Sequence, residues 1–185
     1  MGIRYSESKK EFTTLACGPV NLISEDEYGY PQNGILVYPN VNSCTTITVM
    51  LDDHEVFGTH LTVGSPTSLV ETILNKINAS RGARNVAQLH VVGVLKASGS
   101  GWKSSAKYSG QNLYQTLNVT FGLPKTTPIF VHEQEYKEKG ADFFHYRVVC
   151  GHGVLGWHWK STRERYPKPG VSISEGFKPL LLKAV

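Results

Sequence analysis

The sequence predicts an α+β domain with a layered, largely antiparallel β-sheet or sandwich and two main helices. Short runs of β-branched and apolar residues alternate with turn residues, and two amphipathic segments interrupt them in mid-chain. Helices placed between strands can cover one face of such a sheet. No linker or repeat divides the 185 residues. We therefore expect one domain over residues 1–185, with an N-terminal extension (1–33), a core (34–131) and C-terminal strands and loop (132–185).

The predicted strands are the runs rich in Val, Ile, Thr and aromatic residues. The loop "DDHE" between the second and third runs makes them an antiparallel hairpin. With a turn centred near Asp53, the partner of Cys44 across this hairpin would be Thr62. The predicted strands cover residues 34–38, 45–51, 56–63, 87–97, 128–134, 143–151, 153–159 and 178–183.

Two segments have the apolar spacing of amphipathic helices. The first has Ser65 or Thr67 as its cap and ends near Gly82. The second runs from about residue 110 to Phe121 and is ended by the following glycine and proline. The apolar face of the first helix consists of Leu69, Val70, Ile73, Leu74 and Ile77, and that of the second of Leu113, Leu117 and Phe121.

Composition excludes several classes of function. The 19 basic and 15 acidic residues leave a net charge of +4 that is spread along the chain, so nucleic-acid binding is not predicted. There is no apolar run long enough to span a membrane and no apolar core of a secretory signal, so cytoplasmic synthesis is expected. Gly2 and Ser6 match the N-myristoylation pattern, but the pattern is short and a chance match is the preferred interpretation.

The cysteines and one histidine carry the most specific chemistry in the sequence. Cys17, Cys44 and Cys150 are an odd count at wide spacing, which suits a reducing compartment or a single reactive thiol. His60 and Thr62 share a face of their strand, so His60 would be a diagonal neighbour of Cys44. A histidine at that distance can take the proton of an attacking thiol. A buried thiol beside a hydrogen-bonded core histidine is the alternative that these residues leave open.

Around this pair, the order of features resembles the CheD family of chemoreceptor glutamine deamidases. It also resembles the wider group of cysteine deamidases that includes bacterial cytotoxic necrotizing factor. The resemblance rests on "NSC" at residues 42–44, "LDD" at 51–53 and "FGTHL" at 57–61. It continues through a proline, an apolar helix ending in "RGA", a strand and a helix ending in "FGLP" at 121–124, and so covers roughly residues 34–131. The chain departs from the family in lacking the glycine-rich run before "SC", one of two paired glycines and the glycine-rich C-terminal segment.

The resemblance implies a CheD-like fold, a deamidase-like core over residues 34–131, and a cysteine-dependent protein glutamine deamidase that needs no cofactor. In it, Cys44 would be the nucleophile and His60 the base. Asn42 and Ser43 would complete the catalytic turn, with the backbone N–H groups of Ser43 and Cys44 holding the oxyanion. The group that orients His60 has no assigned counterpart, and three candidates stay open: Asn40, Asn42 and a backbone carbonyl near Tyr38.

The implied partner is a protein substrate with a reactive glutamine. The missing glycine run indicates a divergent member of the family, so the substrate would be a host protein if the chain is a bacterial effector or toxin delivered into a host cell, or else a chemoreceptor. Because deamidation and transglutamination share a thioester intermediate, the sequence leaves both open. The competing interpretation is a non-enzymatic protein-binding module that retains the fold. A papain-like hydrolase is not favoured, since its cysteine should begin a helix and Cys44 precedes a strand.

Two further features have less specific interpretations. His145, Cys150, His152 and His158 lie close together in the sequence and include residue types that bind zinc, but their spacing matches no metal signature. Surrounding aromatic residues favour ordinary sheet positions for them, so no metal site is predicted. Trp102 stands alone in a loop of small residues, where an aromatic side chain could contact a partner.

Overall fold

The computed structural model confirms an α+β fold with two helices and mainly antiparallel sheets. Cys17 and Trp102 lie outside the described residues, and for residues 2–6, 11–15, 21, 67–69 and 110–115 the backbone alone is described. In the described part of the chain, no helix is long and apolar enough to cross a membrane. The described residues are 2–6, 11–15, 21–25, 27–29, 34–62, 67–94, 110–134, 142–167 and 174–184.

The described chain contains thirteen strands and two helices. The helices are α1 (Thr67–Arg81) and α2 (Gly110–Phe121), as the apolar spacing predicts. The strands are β1 (Gly2–Ser6), β2 (Glu11–Leu15), β3 (Asn21–Leu22), β4 (Glu27–Gly29), β5 (Ile35–Tyr38), β6 (Thr45–Leu51), β7 (Val56–Leu61), β8 (Val86–Gly93), β9 (Ile129–Glu133), β10 (Phe143–Gly151), β11 (Val154–Thr162), β12 (Lys178–Pro179) and β13 (Lys183–Ala184).

These strands form two sheets. The larger sheet has eight strands in the order β13-β9-β8-β6-β7-β4-β1-β2, and the smaller has five in the order β12-β11-β10-β5-β3. All pairings are antiparallel except β8 with β9 and β3 with β5. The strands between residues 2 and 29, which the sequence pattern does not predict, join both sheets. The N-terminal segment therefore takes part in the fold.

The two helices cover one face of the larger sheet. Their buried side chains pack against Ile47, Val49 and Leu51 of β6 and against neighbours on β7 and β8. Apolar helix stripes need a partner surface, and this face of the sheet supplies it. The buried helical residues in this layer are Val70, Ile73, Leu74 and Ile77 of α1 and Leu117 and Phe121 of α2.

The opposite face of the larger sheet packs against the smaller sheet. Trp157 lies at the centre of this second layer, with its ring stacked 6.1 Å from that of Tyr38 on one side and 6.1 Å from that of His90 on the other. The Trp157 indole N–H donates a 3.0 Å hydrogen bond to Nδ1 of His90, which joins the two sheets. Because β6 and β7 lie between the helices and the second sheet, both of their faces are buried.

The predicted 178–183 strand is wrong as a single element. It divides into β12, which pairs with β11, and β13, which pairs with β9 in the other sheet. Pro179 has no backbone N–H to donate, so it suits the edge position that it occupies. Between the two short strands, Leu180 donates its N–H to the carbonyl of Trp157 at 2.9 Å. The chain thus leaves one sheet for the other within five residues.

Candidate functional site

Cys44 and His60 lie on the same face of the larger sheet, the face that packs against the smaller sheet. Thr46 of β6 is directly opposite His60 of β7, and Thr45 is opposite Leu61. This register is the one predicted from a turn centred near Asp53, and it makes Cys44, one residue before the first pair, a diagonal neighbour of His60. Diagonal neighbours of this kind are about 7–8 Å apart, within reach of an imidazole.

Two glycines let the backbone pack closely around this pair. Gly93 of β8 has φ of 140°, and a Cβ there would overlap the carbonyl oxygen of Cys44. That carbonyl instead accepts a 2.9 Å hydrogen bond from the N–H of Val94. Gly58, in the "FGTH" segment, leaves room for the hydroxyl of Tyr38, which is hydrogen-bonded to Thr48 at 2.7 Å. Gly93 therefore allows the close approach of β8 to the chain at Cys44, and Gly58 allows the close approach of the second sheet to β7.

The His60 ring is completely buried and held in one orientation. Its Nδ1 is 3.2 Å from the carbonyl oxygen of Ile23, so Nδ1 carries the proton and donates it to this bond. Nε2 then presents a lone pair, and it has no hydrogen-bond partner among the described residues. Burial lowers the pKa of His60 to about 4, opposed by the Ile23 bond and assisted by the positive charge of Arg165. The ring is therefore neutral at physiological pH.

The group that orients His60 is the Ile23 carbonyl, so the three predicted candidates are wrong. Ile23 follows β3, and its own N–H is bonded to the carbonyl of Val37 at 2.9 Å. The side chain of Asn40 is instead bonded to the backbone of Tyr166, and that of Asn42 to the backbone of residues 142 and 144. The sequence does not reveal this contact. The strand beside Ile23 has only two residues, too few to show an alternating apolar pattern, and it is far from β7 along the chain.

The turn before Cys44 is well fixed. Asn42 donates its side-chain N–H to the carbonyl of Asp142 at 3.3 Å and accepts from the N–H of Phe144 at 3.0 Å. Asn42 and Ser43 are half-buried, whereas the exposed fraction of Cys44 is 2% and that of His60 is 0%. The place of Asn42 and Ser43 in a catalytic turn, and the role of the Ser43 and Cys44 backbone N–H groups as oxyanion donors, stay predictions. In this structure the thiol and the imidazole are both closed off from solvent.

The four residues considered as zinc ligands do not come together. His145 is saturated: Nδ1 accepts from the N–H of Asn40 at 3.2 Å, and Nε2 is 2.7 Å from the hydroxyl of Thr162. Cys150 packs against the apolar layer between the sheets, and burial raises the pKa of its thiol to about 12. In the described part of the chain, no three or more His, Cys, Asp and Glu side chains are grouped to hold a metal ion.

Two cavities lie at different places in the sandwich. One, of about 190 Å³, is formed by the tips of the β6–β7 and β10–β11 hairpins and includes His54, His152 and Cys150 in its lining. The other, of about 560 Å³, lies beside the residues that hold His60, because Ser24 in its wall directly follows Ile23. Neither cavity is lined by Cys44 or His60. The lining of the second cavity consists of Ser24, Glu25, Pro39, Asn40, Arg165, Tyr166 and Pro167.

The chain matches no protein-family model and no curated protein. The resemblance to the glutamine deamidases therefore rests on the quoted residues and their order along the chain.

Proposed function

We propose that the chain is a cysteine-dependent protein glutamine deamidase with Cys44 as nucleophile and His60 as general base. The observation that carries this proposal is the Nε2 atom of His60, which presents a lone pair without a hydrogen-bond partner among the described residues. That lone pair belongs to a ring on the same sheet face as Cys44. Leaving a buried polar atom unpaired costs about 1–3 kcal/mol, so a purely structural histidine would gain from a partner.

The proposed reaction begins with attack of Cys44 Sγ on the side-chain carboxamide carbon of a substrate glutamine. The thiol proton passes to Nε2 of His60, and the resulting imidazolium returns it to the departing ammonia. The C–N bond breaks and a thioester to Cys44 remains. Water, deprotonated by Nε2, then hydrolyses the thioester to glutamate and releases the thiol. A primary amine in place of water would give transglutamination.

The buried state of His60 fixes the timing of the first proton transfer. With a pKa of about 4, the ring does not hold a proton at neutral pH in the closed structure. An imidazolium–thiolate pair is therefore not formed in advance, and proton transfer must accompany the approach of the substrate. The Ile23 carbonyl stabilises the imidazolium when it forms, because the bond from Nδ1–H becomes stronger as the ring gains charge.

The substrate in this proposal is a protein with an accessible glutamine. If the chain is an effector or toxin delivered into a host cell, the substrate is a host protein; the alternative is a chemoreceptor in the cell that makes it. A test incubates the purified chain with proteins of a eukaryotic lysate and, separately, with membranes rich in chemoreceptors. Conversion of glutamine to glutamate is then read by peptide mass spectrometry.

The decisive variants are Cys44→Ser and the matched control Cys150→Ser. Cys44→Ser keeps the size of a buried side chain and removes the nucleophile, so it should abolish conversion and leave the thermal midpoint near that of the wild type. Cys150→Ser should retain activity, since that thiol lies far from His60 in the fold and has a pKa of about 12. A Cys44→Ser protein that still converts glutamine would overturn the proposal.

A second candidate is a protein-binding module that retains the fold without the chemistry. The exposed fractions of 2% for Cys44 and 0% for His60 favour it, because an active site must admit its substrate. In such a module, Cys44 would be a small buried hydrophobe and its rate of alkylation in the folded chain would be no higher than that of Cys150. The two candidates thus differ in the reactivity of one thiol.

A further inference from the structure

The larger cavity lies where a substrate could approach His60. Its wall includes Ser24, next to the Ile23 carbonyl that holds the ring, and Arg165, whose charge is close enough to influence the pKa of His60. A volume of about 560 Å³ is within the range of cavities that bind small molecules or a few residues of a peptide. The cavity is therefore large enough to take the residues beside a glutamine.

One wall of this cavity is closed by the chain itself. Residues 163–167, which we call the strap, follow the end of β11. The side chain of Asn40 binds the peptide backbone of Tyr166 at both polar groups: Oδ1 accepts from its N–H at 2.9 Å, and Nδ2 donates to its carbonyl at 2.7 Å. An amide that donates and accepts in this way is complementary to any extended peptide, so the contact does not depend on the tyrosine side chain.

The backbone of Asn40 is held in a defined conformation from which its side chain can bind a peptide unit. It has φ of 60°, a left-handed conformation that asparagine tolerates better than most residues, and its exposed fraction is 9%. Its backbone N–H is bonded to Nδ1 of His145, whose Nε2 is bonded to Thr162, the last residue of β11 before the strap. The backbone of Asn40 is therefore held by a bond that does not involve Tyr166, and its side-chain amide is the group that binds the strap.

The strap is weakly held compared with the sheets on either side of it. Besides the two Asn40 bonds, its contacts include a 2.7 Å hydrogen bond from the Thr162 hydroxyl to the Glu164 carbonyl and an ion pair of 3.1 Å between Arg165 and Glu25, whose side chains are 61% and 40% exposed. Exposed ion pairs of this kind contribute little to stability. Because Cys44 and His60 are closed off, some part of this end of the sandwich must move for catalysis, and displacement of the strap disrupts no strand.

We propose that this cavity is the binding site for the extended peptide that flanks the substrate glutamine, and that Tyr166 occupies its place in the closed structure. An incoming peptide exchanges with Tyr166 at the Asn40 amide, and the displaced strap opens the way to His60 and Cys44. This inference rests on the proposed function for its substrate. The peptide site and the gate can be tested without turnover.

The test measures the rate at which iodoacetamide alkylates Cys44 in the full chain, by peptide mass spectrometry, in Asn40→Gly and in the control Asn85→Gly. Glycine keeps the left-handed backbone at position 40 and removes only the amide. Asn85 is an exposed asparagine whose side chain is bonded to Asp52, next to the opposite end of β6. Asn40→Gly should speed up alkylation of Cys44 by roughly ten- to hundredfold, as the loss of two hydrogen bonds allows. Asn85→Gly should leave the rate unchanged.

A second arm tests peptide binding. The probe is a mixture of hexapeptides with a central glutamine and randomised flanks, which should change the Cys44 alkylation rate saturably in the wild type and not in Asn40→Gly. Arg165→Gln, an exposed change that spares the core, should also raise the rate of alkylation, by a smaller factor. Equal rates in folded wild type, Asn40→Gly and Arg165→Gln would overturn the gate, and an equal probe effect in wild type and Asn40→Gly would overturn the peptide site. If both arms succeed and the wild type converts no glutamine, the proposed function fails and the peptide site stands.

Discussion

Three histidines are buried in the described part of the chain, and two of them differ from the third in how their ring nitrogens are used. His90 accepts from the Trp157 indole at Nδ1 and is bonded to Gln88 at Nε2. His145 likewise uses both nitrogens, with Asn40 and Thr162. His60 uses only Nδ1, and its Nε2 has no partner in the described residues. Burial lowers the pKa of all three to about 4.

The difference separates a histidine that holds the fold from one that is suited to chemistry. A buried polar group normally finds a partner, and His90 and His145 follow that rule by bridging sheets and loops. His60 is fixed on one side by the Ile23 carbonyl and leaves the side with the lone pair unused. An unpaired acceptor on the Cys44 face lowers stability and is what a general base requires.

The largest expected effect is on glutamine conversion, which should depend on His60 and not on His90. We predict that His60→Phe lowers glutamine conversion by at least about a thousandfold, as loss of a general base or nucleophile typically does. His90→Phe should retain conversion when assayed at a temperature where it is folded. Both are measured by mass spectrometry of the same substrate mixture. Comparable losses in the two folded variants would remove the distinction.

The second effect is on the free energy of unfolding. Here His90→Phe should cost more than His60→Phe, the reverse of their effects on activity. His90→Phe leaves the Trp157 indole N–H buried without its acceptor, so we expect a loss of about 2–4 kcal/mol. His60→Phe also strands a carbonyl, that of Ile23, but removes an unpaired nitrogen, so its cost should be about half as large or less. Urea denaturation of both variants checks this. A larger loss for His60→Phe would show that His60 is the structural residue.

The smallest expected effect is the decrease of the free energy of unfolding at acidic pH. Each buried histidine has a pKa near 4 in the folded chain and 6.5 as its ordinary value, so the unfolded chain binds more protons between these pH values. The free energy of unfolding therefore has its full value above about pH 6.5. It decreases as the pH falls towards 4, by at most about 1.4 kcal/mol per pH unit for each histidine. Urea midpoints in this range should show a smaller slope for His145→Gln than for the wild type. An unchanged slope would contradict the assigned burial of His145.

The sequence predicts the parts of the site that depend on local pattern. Alternation in β6 and β7 and the position of the turn fix the register, and so place Cys44 and His60 on one face. The apolar spacing of both helices likewise predicts their bounds. These features depend on periodicity within a short segment, which side-chain burial enforces.

The rest depends on contacts between distant segments. The Ile23 carbonyl reaches His60 from the residue after a two-residue strand, and Asn40 reaches Tyr166 across 126 positions. Backbone carbonyls carry no residue signature, and an asparagine that follows a proline in a turn has many possible partners. The split between β12 and β13 is hidden for a similar reason, because a run of leucines does not reveal that its two ends join different sheets.

The most direct test of the account is the pH dependence of Cys44 alkylation by iodoacetamide, itself a primary carboxamide, in the wild type and in His60→Phe. Peptide mass spectrometry follows Cys44 and Cys150 in the same folded sample. We predict that Cys44 reacts faster than Cys150 at pH values where the His60 ring is neutral, because Nε2 takes the thiol proton as the reagent approaches, and that His60→Phe removes this advantage. Equal rates at Cys44 and Cys150 in the wild type, or a Cys44 rate that is unaffected by His60→Phe, would contradict it.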